Sequence, residues 1–370
     1  MQVKRRPRGA PPFSGGAGPA LDCGLLCRNT IESGKRAETR QEVNGALKNT
    51  MASNGNDTDY AIISPCRNEQ EFMRKTLDSV VEQTIKPKVW VIVDDGSTDK
   101  TPEILKEYAS KHDFIEVVTR QNRGARSVGP GVIDAFYDGF GSIDIDDYRY
   151  ICKLDLDLIL PSRYFELVIK EMQANSRLGT FSGKAYFIDK KTDAQVSEGC
   201  GDESSIGAAK FYRVSCFKQI GGFVRQVMWD GIDSHRCRLL GWESASIDDE
   251  ETRFVHLRPM GSSQKGILTG RARHGFGQYF MGTGAVYMIA ASIYRLKHPP
   301  YVVGSLATLW GYFSSLFKRV DKLDDPGMVR MMRRYHWLSM LMGKRRATAY
   351  LNKKNQDNWD PEQEAYDIPV

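Results

Sequence analysis

No glycine stands between Tyr60 and Val93. A dinucleotide-binding fold needs a G-x-G-x-x-G loop in such a place, and a sugar nucleotidyltransferase needs a glycine-rich one, so neither class fits. The seven cysteines (Cys23, Cys27, Cys66, Cys152, Cys200, Cys216 and Cys237) include no C-x-x-C pair, and their number is odd. Unpaired thiols in a reducing, cytoplasmic setting are the simplest reading. The basic N-terminus lacks the apolar core of a secretory signal. Neither sign of charge dominates: 52 Lys and Arg face 46 Asp and Glu, for a net +6. That mild excess permits an anionic substrate or an anionic membrane surface. There is no aromatic-plus-basic motif, so nucleic acid is not expected as a partner.

What is present describes a globular protein. The 370 residues, 41% hydrophobic and 26% charged, leave room for a sizeable core in one large or two ordinary domains. Residues 1–57 are rich in Gly, Pro, Arg and Asn, without apolar period, and are expected to be a disordered tail. Met51 opens MASNGNDTDYAIISP, which resembles a natural start, so the sequence leaves Met1 and Met51 open as initiators.

From Tyr60 strands and helices alternate. Strands are expected at Tyr60–Ser64, Val89–Val93, Ile115–Thr119 and from Tyr150 toward Asp155, then at Thr180–Ser182, Ala185–Ile188, Ala208–Val214 and Thr252–Leu257. Helices are expected at Gln70–Gln83, Thr101–Ser110, Val128–Phe140, Arg163–Asn175 and Ile232–Leu240. Repeated βα units with apolar strands predict an α/β fold, a Rossmann-like and mainly parallel sheet flanked by helices.

Chemistry concentrates at the ends of apolar runs. The run YICKLDLDLILP carries Asp155 and Asp157, which strand alternation places on one side. Two nearby carboxylates repel unless a cation lies between them, and Mg²⁺ or Mn²⁺ takes such oxygen ligands and also grips a diphosphate. The other Asp-x-Asp triplets, Asp57/Asp59 and Asp144/Asp146, read as solvated loops. VWVIVDDGSTDKT places Asp94 and Asp95 at a strand end, where a carboxylate can accept from a base or a ribose. Ser97, Thr98 and Asp99 read as a helix cap. SPCRNEQEF places Pro65, Asn68 and Glu69 after the first strand, with Pro65 stiffening the loop.

Together these segments resemble glycosyltransferase family 2. Pro65 with Asn68-Glu69 is similar to the family's opening. Val93-Asp94-Asp95-Gly96-Ser97-Thr98-Asp99, the turn Asn122-Arg123-Gly124, and Asp155-Leu156-Asp157 follow in its order. Gly221-Gly222-Phe223, Trp229-Asp230, Arg236 and Gly241-Trp242 are similar to its acceptor end. The resemblance covers about Asp59–Leu257. It implies a GT-A fold over 58–260, inverting transfer from a nucleotide-sugar donor, and a glycan or lipid-linked acceptor. It also implies that Pro65–Glu69, Asp94, Asp95, Asn122, Gly124 and Asp155 bind the nucleotide. Asp155 and Asp157 would hold the metal, with His256 as a further ligand. Asp230 falls on the family's acidic pair and would be the base. Trp229 replaces that pair's first carboxylate, which leaves Asp233, one turn on, as the other candidate.

Arg258 follows His256 and could pair with a diphosphate. Arg271 and Arg273, in GRARHGFGQYF, read as a mobile basic lid over it. Residues 261–370 are expected to form a helical C-terminal region. Within it Thr283–Tyr294 and Tyr301–Phe317 are apolar, and the second, at about 17 residues, is at the lower edge for a membrane span. Gly304, Thr308, Gly311 and Ser315 share one face, suited to tight packing. Basic residues flank both ends, which disfavours a span and suits helices lying on the cytoplasmic face of an anionic membrane. A last helix is expected from Asp325-Pro326 to Gly343. The whole pattern is similar to exopolysaccharide and surface-glycan enzymes. A haloacid-dehalogenase-like phosphatase also uses D-x-D at a strand end, but there it opens the core sheet. A catalytically silent membrane docking protein would not need Asp95, Asp155, Asp157 and Asp230 intact.

Overall fold

The computed structural model describes residues 57–364, apart from 125–128, 190, 259–265 and 298–299. The expected N-terminal tail and the choice between Met1 and Met51 lie outside those residues, Asp57 excepted.

The chain runs β1 (Tyr60–Cys66), α1 (Met73–Val81), β2 (Val89–Asp94), α2 (Thr101–Ala109), β3 (Ile115–Thr119), α3 (Pro130–Phe140) and β4 (Tyr150–Leu154). It continues through β5 (Leu158–Ile159), α4 (Tyr164–Ala174), β6 (Leu178–Ser182), β7 (Ala185–Ile188), β8 (Gln195–Ser197), β9 (Ala209–Arg213) and α5 (Val214–Gln219). Then come α6 (Trp229–Leu239), β10 (Glu243–Ser246) and β11 (Phe254–His256). Five helices follow: α7 (Ile267–Phe280), α8 (Ala285–Arg295), α9 (Tyr301–Phe317), α10 (Pro326–Met342) and α11 (Lys344–Lys354).

The larger sheet has the order β10-β6-β9-β4-β1-β2-β3, and β5-β11-β7-β8 form a second. β3, β2, β1 and β4 are parallel neighbours, as the βα pattern predicts. β9 departs from that pattern, pairing antiparallel with both β4 and β6. Its first residue, Ala209, lies opposite Leu154, the last of β4. The chain therefore re-enters the sheet at the end where β4 leaves it. That brings the segment before β9 beside Asp155 and Asp157.

Strands buried on both faces explain the near-continuous apolar runs. Tyr60, Ile62, Trp90 and Ile92 pack with Leu77, Leu105 and Phe165 on one side. Ala61, Ile63, Val91 and Val93 pack with Ile133, Phe136 and Phe217 on the other. Among the described residues Cys66, Cys152, Cys200, Cys216 and Cys237 form no disulfide.

In the C-terminal helices the small face of α9 is buried at Gly304, Thr308, Gly311 and Ser315, as its spacing predicts. The reason is close backbone approach to α7. A Cβ on Gly311 would lie 1.9 Å from the Ala272 carbonyl oxygen, and one on Gly275 1.9 Å from that of Thr308. α10 begins where expected, with Asp325 accepting from the Met328 N–H at 2.9 Å. α11 was not expected. Gly343, read from sequence as a stop, instead turns the chain at φ 82° into a further helix. Among the described residues no helix is long and apolar enough to cross a membrane.

Candidate active site

A cleft of about 630 Å³ opens at the carboxyl end of β4. Pro65, Glu69, Asp155, Asp157, His256 and Arg258 line it, and Asp230 lines it from α6. Among the described residues, the remaining expected site residues (Asn68, Asp94, Asp95, Asn122, Gly124, Asp233, Arg271 and Arg273) are not part of its lining.

The first group lies in loops laced together beside the cleft. Asn68 adopts a left-handed φ of 53° and accepts from the Thr98 N–H at 2.8 Å. Asp94 accepts from the Ser97 N–H at 2.9 Å. Asp99 accepts from the Thr101 N–H at 3.0 Å, but the residue at the start of α2 is Lys100, which makes no side-chain cap, so the expected Ser97–Asp99 cap is not formed. Asn122 accepts from Arg67 at 2.7 Å and from the Gly124 N–H at 2.8 Å. Gly96 has φ 70°, and a Cβ there would lie 2.4 Å from the Asn122 Cα, so only glycine fits. Asp95 is buried, and both its oxygens are held by guanidinium groups, Arg120 at 2.8 Å and Arg123 at 2.6 Å. A ligand that reaches this carboxylate meets two arginines as well. The sequence reading missed them because Arg120 and Arg123 follow β3, and only the β2–β3 pairing brings them to Asp95.

Asp155 and Asp157 follow β4 rather than lying within it, yet both face the cleft. Lys153 holds one oxygen of Asp155. Arg258 Nε holds one oxygen of Asp157 at 2.6 Å, while its Nη2 reaches Glu69 at 2.6 Å. The second oxygen of Asp155 and of Asp157 has no hydrogen-bond donor among the described residues. His256 Nδ1 is 2.7 Å from Glu198 Oε2. Burial opposes the charged form of this imidazole, but Glu198 outweighs it, with Asp157 and Asp155 adding, and its pKa is raised. The expected metal trio is thus not drawn together. Among the described residues no three His, Cys, Asp or Glu side chains form a group that could hold a metal ion. The donor types nevertheless suit a hard divalent ion. Two carboxylates keep an oxygen toward the cleft, and an imidazole oriented by a carboxylate is the usual support of a ligating histidine.

Asp230 and Asp233 part company. Asp230 is in the first turn of α6, half-buried, and its carboxylate has no hydrogen-bond donor among the described residues. It lies over Gly207 of the segment before β9, where a Cβ would be 3.0 Å from its Oδ2. Asp233 points the other way, into the core. Lys210 Nζ is 2.6 Å from its Oδ1, and the Tyr212 hydroxyl donates to its Oδ2. Burial pushes its pKa up, against the pull of Lys210 and Tyr212. Helical spacing alone could not tell the two apart.

Arg271 and Arg273 are not on a mobile loop. They sit on the regular helix α7, whose Gly275 and Gly277 serve close packing, Gly277 against Met228. It is His274 and Gln278 of this helix that reach the cleft. Trp229, which replaces the expected first carboxylate, also lines the cleft. Its ring packs edge-on to Phe223 at 4.6 Å and lies 5.3 Å from the Lys153 ammonium.

Residues 61–225 match the family Glycosyl transferase family 2. Over this segment the chain is similar to family 2 glycosyltransferases. The architecture, a mixed sheet flanked by helices with a helical C-terminal region, is the GT-A fold that the sequence motifs imply. The chain is similar to poly-beta-1,6-N-acetyl-D-glucosamine synthase of Staphylococcus epidermidis, 30% identical over 128 residues. The match covers 34% of this chain and 28% of that protein. The synthase of the same name from Staphylococcus aureus (strain COL) is 29% identical over the same shares. The chain thus spans under a third of the length of these relatives. Among solved structures it is similar to the mannosyltransferase PcManGT from Pyrobaculum calidifontis in complex with GDP-Man and Mn²⁺. That likeness has TM-score 0.45 and 16% identity, over 80% of this chain and 86% of that one. It is also similar to S. aureus TarS 1-349 in complex with UDP-GlcNAc, with TM-score 0.45 and 13% identity, over 84% and 98%.

Proposed function

We propose that the chain is an inverting, metal-dependent glycosyltransferase. It moves a sugar from a nucleotide-sugar donor to a glycan or lipid-linked acceptor in polysaccharide or surface-glycan synthesis. The observation that carries this reading is Asp230, a carboxylate without a partner on the same cleft wall system as Asp155 and Asp157.

The loops of Pro65–Glu69, Asp94–Asp95 and Asn122–Gly124 receive the nucleoside, with Asp95 and its two arginines at the base. Asp155, Asp157 and His256 are the residues that would hold Mn²⁺ or Mg²⁺. When bound, such an ion offsets the charge growing on the leaving diphosphate. Arg258 supplies positive charge on the same side. Asp230 accepts the proton of the acceptor hydroxyl as that oxygen attacks the anomeric carbon. Donor and acceptor then lie on opposite faces of the transferred sugar, so its configuration inverts. Trp229 offers a ring face for a sugar beside the base.

We further propose that the helical region, taken as 261–370, rests on the cytoplasmic face of an anionic membrane. Val286, Ile289 and Ile293 of α8 and Val302, Val303 and Leu306 of α9 are exposed, as are Trp310 (72%) and Phe317 (81%). Flanking basic residues suit such a surface.

The test is a thermal-shift panel of uridine, guanosine and thymidine diphosphate sugars, with and without Mn²⁺, followed by a donor-hydrolysis assay. Stabilisation by one nucleotide class, dependent on the ion, and slow hydrolysis of that donor are expected. A flat response across the panel would sink the reading.

A further inference from the structure

The cleft does not end at Asp230. Asp230, Gly231, Ser234, His235 and Arg238 all line it. Their spacing marks one face of α6. At 1.5 Å per residue, that face runs about 12 Å from the proposed base to Arg238. His274, Tyr287, Arg295, His336 and Lys344 of the C-terminal helices also line the cleft, and those helices contribute no Asp or Glu to the lining.

This inner chamber holds polar atoms that nothing satisfies. His235, Arg238 and His336 are all buried. Yet His235 Nδ1, Arg238 Nε and His336 Nδ1 have no hydrogen-bond partner among the described residues. Buried side-chain polar atoms are nearly always paired, so three unpaired ones around one space mark a place for a ligand. The site is also held in shape. The Tyr287 ring stacks on His336 at 3.8 Å and 4°, and His235 packs edge-on to Tyr335 at 5.4 Å.

The charge of the missing ligand follows from the wall. Arg238 spends its terminal nitrogens on the carbonyls of Ser234 and Glu203. Arg295 and Lys344 have no carboxylate partner among the described residues. The acids of the cleft lining, Glu69, Asp155, Asp157, Glu203 and Asp230, all come from segments before the C-terminal helices. Burial, then the neighbouring cations, pushes His274 and His336 down to about 3, and His235 down as well. The imidazoles are therefore neutral hydrogen-bonding groups at neutral pH.

We infer that the inner chamber is an acceptor subsite for an anionic group of the phosphate class. Arg238, Arg295 and Lys344 balance its charge, and His235 and His336 donate to its oxygens, while the acceptor hydroxyl lies at Asp230. This rests on the glycosyl-transfer reading above. A lipid-borne phosphate and a soluble sugar phosphate share the required chemistry.

The experiment titrates the full chain calorimetrically with glucose 1-phosphate, with hexyl phosphate, and with methyl glucoside as the uncharged control. Saturable binding of at least one phosphate and none of methyl glucoside is expected. A preference for hexyl phosphate assigns the lipid source, and one for glucose 1-phosphate the soluble source. Arg295→Gln should weaken the bound phosphate about tenfold or more, the loss expected for one charge-assisted hydrogen bond. Lys344→Gln, at an exposed position, should weaken it too and guards against a folding defect in the first variant. Neither should alter the thermal shift given by nucleoside diphosphate with Mn²⁺. The inference falls if neither phosphate saturates, if both variants bind as the native chain does, or if Asp157→Asn abolishes phosphate binding, since the probe then sits in the donor site. Should nucleoside diphosphate fail to bind while phosphate binding still answers to Arg295→Gln, the transfer reading falls and the anion subsite stands.

Discussion

Lys210 and Asp233 meet as a fully buried ion pair, Nζ to Oδ1 2.6 Å, inside the core at the start of α6. The same ammonium donates to the Asp230 carbonyl oxygen at 3.0 Å. One lysine of β9 thereby fixes the first turn of the helix and leaves the Asp230 carboxylate turned to the cleft. The two aspartates should accordingly fail in different ways. Asp233→Asn strands a buried ammonium, which typically costs about 3–5 kcal/mol of stability. Asp230→Asn should leave the melting temperature nearly unchanged while turnover falls about 10²–10⁴-fold. Melting curves and donor turnover on both variants check this. An active, stable Asp230→Asn beside a dead, stable Asp233→Asn would reverse the assignment.

Asp157 is the second test. Its Oδ2 is bound to Arg258, and its other oxygen is the one left for a cation. Asp157→Asn should abolish the Mn²⁺-dependent part of the stabilisation given by a nucleoside diphosphate. At a ligand concentration ~100 times the dissociation constant that stabilisation is about 2.7 kcal/mol, well within reach of a thermal shift. An undiminished metal-dependent shift in the variant would exclude Asp157 from the ion's site.

Acid should weaken the C-terminal packing. Burial lowers the pKa of His235, His274 and His336. A histidine depressed in the folded state contributes stability that is present above its unfolded value, about 6.5, and is lost as pH falls toward the folded value. His256, raised by Glu198, gains its contribution as pH falls toward that unfolded value and is constant below it, where the loss from the three depressed histidines continues. The melting temperature should therefore fall between pH 7 and pH 5, and His336→Gln should flatten the slope. Equal slopes in the two proteins would show that His336 is not buried neutral.

Two glycines hold α7 against α9. Gly275→Ala or Gly311→Ala drives a methyl group into a backbone carbonyl, at 1.9 Å in each case. Overpacking of this kind costs about 1–3 kcal/mol. Gly284→Ala, with nothing within 4 Å, is the control and should melt normally. If all three melt alike, the helices are not packed this closely.

Membrane docking predicts salt-sensitive binding to phosphatidylglycerol vesicles, because the attraction of basic flanks is screened. Replacing Trp310 and Phe317 by Ser removes the two most exposed large side chains of α9. The double variant should stay in the supernatant when vesicles are pelleted. Equal sedimentation of both proteins would remove α9 from the contact.

The sequence by itself determined the parts of this protein whose signal is local. Apolar runs in β1, β2 and β4 mark strands buried on both faces, and the acids just past β2 and β4 follow at the sheet's carboxyl edge. The stripe of Gly304, Thr308, Gly311 and Ser315 declares a packing face because helical periodicity is itself local. Tertiary structure alone decided everything that depends on which segments meet. It turned β9 against its neighbours, so that Gly207 lies under Asp230. It sent Asp233 to Lys210 and left Asp230 free, though both stand on one helix within a turn. It placed Arg120 and Arg123 on Asp95, set Arg258 between Glu69 and Asp157, and gathered His235, His274 and His336 from three helices around one chamber. Sequence periodicity reports which face of an element is buried. It does not report what that face is buried against, and in this molecule the partner decides whether a charged side chain is locked in the core or left open to a substrate.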